Sequence, residues 1–189
     1  MDPVIAKVAE WTAVLLNIAF AYLLGRSLRI GWLCGFVAAV ITVWLYAVQD
    51  AWLMAALNVF YAVMGLYGWW NWGRASEEGI IRTFRWPVHV LLVVLTFAGT
   101  WALLFAMQRL AIPGQYQWME AFIAAGAMVA TWMMGRKVLE NWLYWIVGDA
   151  VGVVYNHLIG YDGYAFLNVV YIVLGVVGFV RWRRELLNT

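Results

Sequence analysis

The segment 138–159 carries the residues of this sequence that are best suited to binding a small solute. Trp142, Trp145 and Asp149 are spaced by three and four residues, so a helix would place them on one face. A carboxylate in the middle of an apolar helix usually faces a protein interior or a water-filled cavity. Aromatic rings beside a carboxylate suit a flat, cationic or polar heterocycle. The structural alternative is a carboxylate that is only hydrogen-bonded inside a helix bundle, to Tyr or Asn.

Two further stripes of polar, aromatic and small residues have the same helical spacing of 3, 4, 3 and 4. They are Asn58, Tyr61, Gly65, Gly68 and Trp72, and Asn168, Tyr171, Gly175, Gly178 and Trp182. The glycines are best explained by close helix packing. An equivalent pair of asparagines facing a common axis would instead flank a polar solute. Trp69, Trp70 and Trp72 are expected in the aromatic belt at the membrane interface.

The elements that must position these residues are membrane helices. Of the 189 residues, 66% are hydrophobic and 12% are charged, whereas roughly a quarter of the residues in soluble domains are charged. The apolar runs have the length of transmembrane helices, about 20 residues, and not the alternation of barrel strands. The sequence predicts an all-α membrane protein with seven transmembrane helices, at about 4–24, 30–48, 51–72, 86–107, 116–134, 138–159 and 163–181.

Seven crossings divide the basic residues very unequally between the two sides. Ten of the twelve Lys and Arg residues, including Arg74, fall in the 1–2, 3–4 and 5–6 connections or at the C-terminus. Only Lys7 and Arg109 fall on the other side. Since basic residues concentrate on the cytoplasmic side, we expect a multi-pass protein of the inner (plasma) membrane with its N-terminus outside and its C-terminus cytoplasmic.

A module of three helices occurs twice in the sequence. Without gaps, LNVFYAVMGLYGWWNWGR (57–74) lies over LNVVYIVLGVVGFVRWRR (167–184) at an offset of 110 residues. Residues from about 10–74 and 120–184 are therefore predicted to be two copies of one fold unit. Repeats that meet around a central site are typical of transporters, because rocking one half against the other alternates access.

The helix at about 86–107 has no counterpart and returns the chain so that the two copies are parallel. The prediction is a single transmembrane domain over 1–189 in a 3+1+3 arrangement. Trp145 and Asp149 have Gly35 and Ala39 as their counterparts in the first copy. Neither residue is therefore needed to build the module, and this asymmetry favours a functional role.

The sequence resembles the PnuC-type vitamin transporters, a family of nicotinamide riboside transporters with relatives assigned to thiamine or riboflavin. The resemblance lies in KVLENWLYWIVGDAV (137–151), in LNVFYAVMGLYGWWNW (57–72) and in the Gly–Trp ending at 178–182. It implies a fold like that of full-length SWEET transporters and assembly as a homotrimer. It also implies facilitated import of a small aromatic vitamin, which a cytoplasmic kinase then traps by phosphorylation.

Carried over by position, the resemblance implies that Trp142, Trp145 and the polar residue Asn58 line the substrate site, although the family often has Gln in place of Asn58. Gly148 and Gly152 stand where bulkier residues are expected, and they would enlarge the cavity if they faced it. Nicotinamide riboside and thiamine both carry a cationic ring, and the sequence does not choose between them. The candidate substrate-binding residues are Trp142, Trp145, Asp149, Asn58, Tyr61, Asn168 and Tyr171.

Other function classes fit these residues less well. A SWEET-like sugar carrier is the main alternative, but such carriers have prolines within the helices of each repeat, and the three prolines here fall at or near helix ends. A retinal-type photoreceptor needs a mid-helix lysine, and both lysines are near helix ends. No nucleophile–base pair or His-rich metal spacing occurs. We therefore expect no enzyme activity, cofactor, metal or nucleic-acid partner.

Overall fold

Seven α-helices form the regular structure in the part of the chain that the computed structural model describes, which is residues 3–48, 52–73, 81–160 and 162–188. The all-helical fold predicted from the sequence is confirmed. The helices are α1 (Pro3–Gly25), α2 (Ile30–Val48), α3 (Trp52–Trp72), α4 (Trp86–Arg109), α5 (Gln117–Gly135), α6 (Asn141–Leu158) and α7 (Asp162–Leu187).

Four of the described helices are long and apolar enough to cross a membrane: Val4–Gly25, Ile30–Val48, Trp86–Arg109 and Tyr164–Leu187. Large apolar side chains cover the outer surface, and Trp101 and Phe105 on α4 are 64% and 59% exposed. Water-soluble monomers rarely expose extended apolar patches, so this surface suits a lipid environment. The count of seven crossings stays a prediction.

Two helix ends differ from the sequence prediction by three residues or more. α7 continues six residues past the predicted end at Arg181, where the Arg181 guanidinium lies 3.2 Å from the Glu185 carboxylate one turn later. α6 begins three residues late, because the turn before it is held by Arg82, whose N–H donates to the carbonyl of Lys137 at 2.9 Å. Arg74 lies outside the described residues.

The helices pack in two groups of three with related contacts between the groups. α1, α2 and α3 pack in succession, and so do α5, α6 and α7. The first helix of each group also packs on the third helix of the other, α1 on α7 and α5 on α3. α4 packs on α5 alone among the described helices. Six helices therefore surround a common interior, and α4 lies outside it.

The first helix of each group ends in the same backbone geometry. Ser27 after α1 and Lys137 after α5, 110 residues apart, have left-handed φ values of 57° and 55°. The N–H of the residue that follows each donates to the carbonyl five residues earlier, at 2.9 and 3.0 Å. This is the Schellman arrangement, which satisfies carbonyl groups that a helix end would otherwise leave free.

The glycines of α3 and α7 admit large side chains from neighbouring helices. A Cβ added to Gly68 would collide with the indole of Trp32, and one added to Gly178 would lie 2.7 Å from the indole of Trp142. Gly65 likewise accepts Phe36, with the Cα of that residue 3.1 Å from the added Cβ. The packing explanation of the glycine stripes therefore agrees with these contacts.

Candidate functional site

The six inner helices surround a cavity of about 290 Å³. Six of the seven sequence-predicted candidates lie on its wall; only Asn168 does not. The candidates on the wall come from α3, α6 and α7, and the remaining lining residues also involve α1, α2 and α5. The lining consists of Asn17, Phe20, Ala21, Trp32, Gly35, Ala39, Asn58, Tyr61, Gly65, Thr131, Met134, Trp142, Trp145, Asp149, Tyr171, Leu174 and Gly175.

Asn168 lies behind the carboxylate of Asp149 and not on the cavity wall. Its Nδ2 donates to Asp149 Oδ1 at 3.2 Å, and its Oδ1 accepts a bond from Asn156 Nδ2 at 3.2 Å. The sequence predicted that Asn168 binds the substrate; in the structure its amide contacts Asp149 instead of lining the cavity, and its contact with a substrate stays a prediction. Gly152 makes this position possible, since a Cβ there would collide with the Asn168 amide.

Asn58 and Tyr61 on α3 reach the cavity together with Tyr171 on α7. The Asn58 amide donates to the carbonyl of Met54 at 2.9 Å, a bond within its own helix. Its Oδ1 and the two tyrosine hydroxyls make no hydrogen bond within the described residues. These groups are therefore free to bind a polar solute.

Three tryptophans of the lining carry buried indole N–H groups with no acceptor among the described residues: Trp32, Trp142 and Trp145. An unsatisfied buried donor costs about 1–3 kcal/mol. Such groups in a native structure call for a specific explanation. The three N–H groups have almost no accessible surface, so a solute in the cavity could meet them only after a side chain or helix moves.

Four tryptophans form a continuous layer at one end of the cavity, which we call the tryptophan layer: Trp32, Trp72, Trp182 and Trp142. Successive ring centroids are 5.8, 5.8 and 5.5 Å apart. The layer lies where α3 ends, roughly 16–21 Å along the helix from Tyr61 and Asn58 at 1.5 Å per residue. All four side chains are buried, so the layer fills the interior of the bundle at this end.

The inner two tryptophans of this layer tie the two helix groups together. Trp72 Nε1 donates to the carbonyl of Gly135 at the end of α5, at 3.2 Å. Trp182 Nε1 donates to the carbonyl of Leu24 at the end of α1, at 3.0 Å. The expectation that Trp72 belongs to the interfacial belt is wrong, because its side chain is 1% exposed. Trp70, at 58% exposed, agrees with that expectation.

Sequence reasoning missed several residues of the cavity wall. Trp32 was detectable, because the repeat offset pairs it with Trp142. Asn17 was detectable as a polar residue within the apolar run of α1. Phe20 carries no such signal. Neither Gly148 nor Gly152 lines the cavity, so they do not enlarge it.

Asp149 is the one carboxylate in a lining that contains no Lys, Arg or His. The remaining wall is made of aromatic, aliphatic and amide side chains. Aromatic faces and a carboxylate both attract positive charge. The cavity therefore suits a neutral or cationic aromatic solute and disfavours an anionic one.

An apolar helical bundle around such a cavity defines a polytopic membrane protein with an internal site of solute size. The chain matches the profile of the nicotinamide mononucleotide transporter family over residues 7–184, and it belongs to this family. The resemblance to PnuC-type vitamin transporters predicted from the sequence is confirmed.

Individual relatives agree with this assignment. The chain is 28% identical over 119 residues to the riboflavin/roseoflavin transporter RibM of Streptomyces davaonensis, covering 60% of this chain and 54% of the relative. It is 23% identical over 146 residues to the nicotinamide riboside transporter PnuC of Escherichia coli, covering 62% and 59%. The chain thus spans less than two thirds of the length of these relatives, both of which are transporters and not enzymes.

The fold has a solved counterpart. The crystal structure of the vitamin B3 transporter PnuC superimposes with a TM-score of 0.75 at 16% sequence identity, covering 94% of this chain and 81% of that chain. At this identity the match supports the fold alone.

Proposed function

We propose that this chain is a facilitator that imports a small aromatic B vitamin, nicotinamide riboside or thiamine, across the inner membrane. The observation that carries the proposal is the placement of Asp149 beside Trp142 and Trp145 on the wall of one cavity. Stacking and cation–π attraction give affinity for a flat cationic ring. The carboxylate adds charge complementarity, which is stronger in a low-dielectric interior than in water.

The charge of the cavity also argues for a nucleoside over a nucleotide. Phosphate recognition in proteins uses Arg, Lys or helix N-termini, and the lining contains no Lys or Arg. A phosphate would instead lie close to the carboxylate of Asp149. We therefore expect the transported form to be unphosphorylated, with trapping by a cytoplasmic kinase after entry.

The proposed route runs between two parallel repeats in a 3+1+3 arrangement like that of full-length SWEET transporters. The reciprocal packing of α1 on α7 and α5 on α3 supports this arrangement. The matching helix ends at Ser27 and Lys137, and the matching bonds of Trp72 and Trp182, support it further. Rocking of one repeat against the other would alternate access to the cavity. The N-terminus would lie outside and the C-terminus in the cytoplasm.

Assembly as a homotrimer is part of the proposal and rests on the family resemblance. A SWEET-like sugar carrier is less well supported, because the wall is dominated by aromatic and aliphatic side chains while a sugar presents hydroxyl groups on all sides. The family profile also points away from it.

Direct binding to the purified protein tests the substrate. Labelled nicotinamide riboside, thiamine, riboflavin and nicotinamide mononucleotide are compared by equilibrium binding in detergent. We expect one of the first two to bind and the mononucleotide to fail because of its phosphate. If riboflavin binds most tightly, the proposed substrate would be this neutral vitamin and not one of the cationic vitamins. No binding by any of the four would refute the proposal.

The substitution Trp145→Ala tests the site. It removes one aromatic wall, and we expect binding to weaken by about 1–3 kcal/mol, the contribution of one stacked ring. Trp70→Ala is the matched control, because that indole faces outward and is 58% exposed. Equal affinities of the two variants would remove Trp145 from the site.

A further inference from the structure

The two copies of the module supply an aromatic ring to the cavity from different helices. Gly35 on α2 and Trp145 on α6 are equivalent positions, and both line the cavity. A Cβ built on Gly35 would lie 2.6 Å from Cδ2 of Phe20 on α1. The Phe20 ring therefore fills the space beside α2 that a larger side chain at Gly35 would take. Ala130, on α5, stands at the position equivalent to Phe20 and is fully buried.

This exchange of large and small residues gives the cavity one ring from each copy. In the first copy the ring comes from α1 and the glycine from α2; in the second, the small residue comes from α5 and the ring from α6. The six inner helices contact one another in the order α1, α2, α3, α5, α6, α7 and back to α1, so α2 and α6 are opposite each other. The Phe20 ring beside Gly35 of α2 and Trp145 on α6 therefore lie on opposite sides of the cavity. Phe20 is fixed in place by an edge-to-face contact with Trp32, at 5.5 Å and 75°.

We propose that Phe20 is the second aromatic wall of the site and that the planar ring of the solute is held between Phe20 and Trp145. This inference rests on the proposed function and narrows its substrate class to solutes with a planar heteroaromatic ring. Two aromatic faces at the axis favour such a ring, whereas a saturated sugar ring gains little from them. Phe20 is thus a specificity-determining residue on a helix to which the sequence assigned no site residue.

The test compares full-length variants in detergent, using whichever of nicotinamide riboside, thiamine and riboflavin the wild-type protein binds. Phe20→Leu keeps most of the volume but removes the flat face, and we expect binding roughly 10- to 100-fold weaker, the effect of losing one stacked ring. Phe166→Ala is the control, because that ring is 69% exposed on the outer surface. We expect it to bind as the wild type does.

A swap variant separates stacking from general packing. Gly35→Trp alone should lower the melting temperature, because the new indole collides with Phe20. Phe20→Ala combined with Gly35→Trp rebuilds the arrangement of Trp145 over Ala130, and we expect it to fold and to bind within about threefold of wild type.

The outcomes distinguish this inference from the proposed function. Wild-type protein that binds none of the three vitamins overturns both. Wild-type binding that is unchanged by Phe20→Leu overturns the role of Phe20 and leaves the proposed function standing. A well-folded swap variant that binds no better than Phe20→Leu also overturns the inference, because the new ring at position 35 should restore affinity.

Discussion

The carboxylate of Asp149 is held by an amide that does not touch the cavity. Asn156 donates to the oxygen of the Asn168 amide, so the nitrogen of that amide must point toward Asp149. One carboxylate oxygen is engaged in this way. The other has no hydrogen-bond partner among the described residues. We therefore expect Asn168 to position Asp149, whose second carboxylate oxygen would remain available for a solute.

Two ligands with the same ring but different charge distinguish the contribution of the Asp149 charge to binding from the contribution of its packing. Nicotinamide and 1-methylnicotinamide share one ring, but only the second is a cation. Asp149→Asn should weaken binding of the cation by about 1.5–3 kcal/mol, the range for hydrogen bonds to charged groups, and change binding of nicotinamide little. Asn168→Ala should act in the same direction with a smaller effect, because it frees the carboxylate to move. The readout is the ratio of the two dissociation constants.

The control for this pair is Asn188→Ala, an exposed residue at the chain end. If Asp149→Asn weakens the binding of both ligands equally, the carboxylate stabilises the cavity wall but does not discriminate between a cationic and a neutral ligand. Equal behaviour of Asn168→Ala and the control would mean that Asn168 does not position Asp149.

Most of the candidate site was predictable because helical spacing reports which residues share a face. Asp149 and Trp145 were found in this way, and their asymmetry between the copies singled them out. The same reasoning placed Asn168 on the wall, since spacing cannot show that Gly152 opens a gap into which its amide withdraws. Phe20 could not be predicted, because its position depends on a contact between two helices at Gly35.

At the scale of the elements, glycines and tryptophans interlock across neighbouring helices. Trp32 lies against Gly68 of α3, and Trp142 lies against Gly178 of α7. The two pairs are equivalent in the two copies. Each pair lets an indole reach both the cavity and the tryptophan layer, so helix packing and the site are built from the same contacts.

Substitution of one methyl group tests this interlocking. Gly68→Ala should destabilise the protein by about 1–3 kcal/mol, the usual effect of overpacking, because the ring of Trp32 is rigid and buried. Gly148→Ala is the control on a helix of the same bundle, since a Cβ there has no neighbour within 4 Å. Thermal unfolding in detergent measures both. A Gly68→Ala variant as stable as the control would show that Trp32 moves aside without cost.

The tryptophan layer must open if the solute leaves at that end. Trp72→Phe with Trp182→Phe keeps an aromatic ring at each position but removes both indole N–H groups, which donate to the carbonyls of Met134 and Gly135 and to that of Leu24. Each lost N–H donor costs about 0.5–1.5 kcal/mol. We expect the open state to be roughly 5- to 150-fold more populated. Trp182→Phe alone should have the larger effect, because the Gly135 carbonyl also accepts the Asn71 amide at 2.9 Å.

Accessibility of a thiol in the cavity measures this opening. The sequence has one cysteine, Cys34, so Cys34→Ala with Ala21→Cys gives a single reporter on the cavity wall. Labelling by a membrane-impermeant maleimide from the side of the layer should be faster in the double phenylalanine variant than in Trp70→Phe. Equal rates would exclude the tryptophan layer as the closed gate.

The helices themselves were predictable because each follows an apolar run, and apolar runs in a membrane protein are set by the bilayer. The ends of two helices were not. The start of α6 depends on backbone bonds between Arg82 and the turn at 137–139. The end of α7 is extended by the Arg181–Glu185 pair, which lies beyond the apolar run. One is a pair of backbone hydrogen bonds and the other an ion pair, and hydropathy reports neither.

On the scale of the whole molecule, the end that carries the tryptophan layer is also the basic end. Arg29 stacks on Trp69 with its guanidinium carbon 3.8 Å from the ring centroid, and Lys137 lies 4.8 Å from the ring of Trp72. By the positive-inside rule this end is predicted to face the cytoplasm. The layer would then separate the cavity from the cytoplasm, so a solute would enter the cavity from outside and be released when the layer opens.

This orientation makes a prediction about both termini and about α4. In the Cys34→Ala background, Val4→Cys and Gly114→Cys should react with an impermeant maleimide in right-side-out vesicles. Arg85→Cys and Asn188→Cys should react only in inside-out vesicles. All four positions are exposed to solvent or lie near helix ends.

An odd number of crossings requires Val4 and Asn188 to be labelled from opposite sides, and a crossing by α4 requires the same of Arg85 and Gly114. If both termini are labelled from the same side, the number of crossings is even. At least one of the helices α1 to α7 then does not cross the membrane, which contradicts seven crossings and two complete parallel repeats. The reverse pattern at all four positions would preserve the seven crossings but place the tryptophan layer outside. The layer would then gate entry of the solute and not its release.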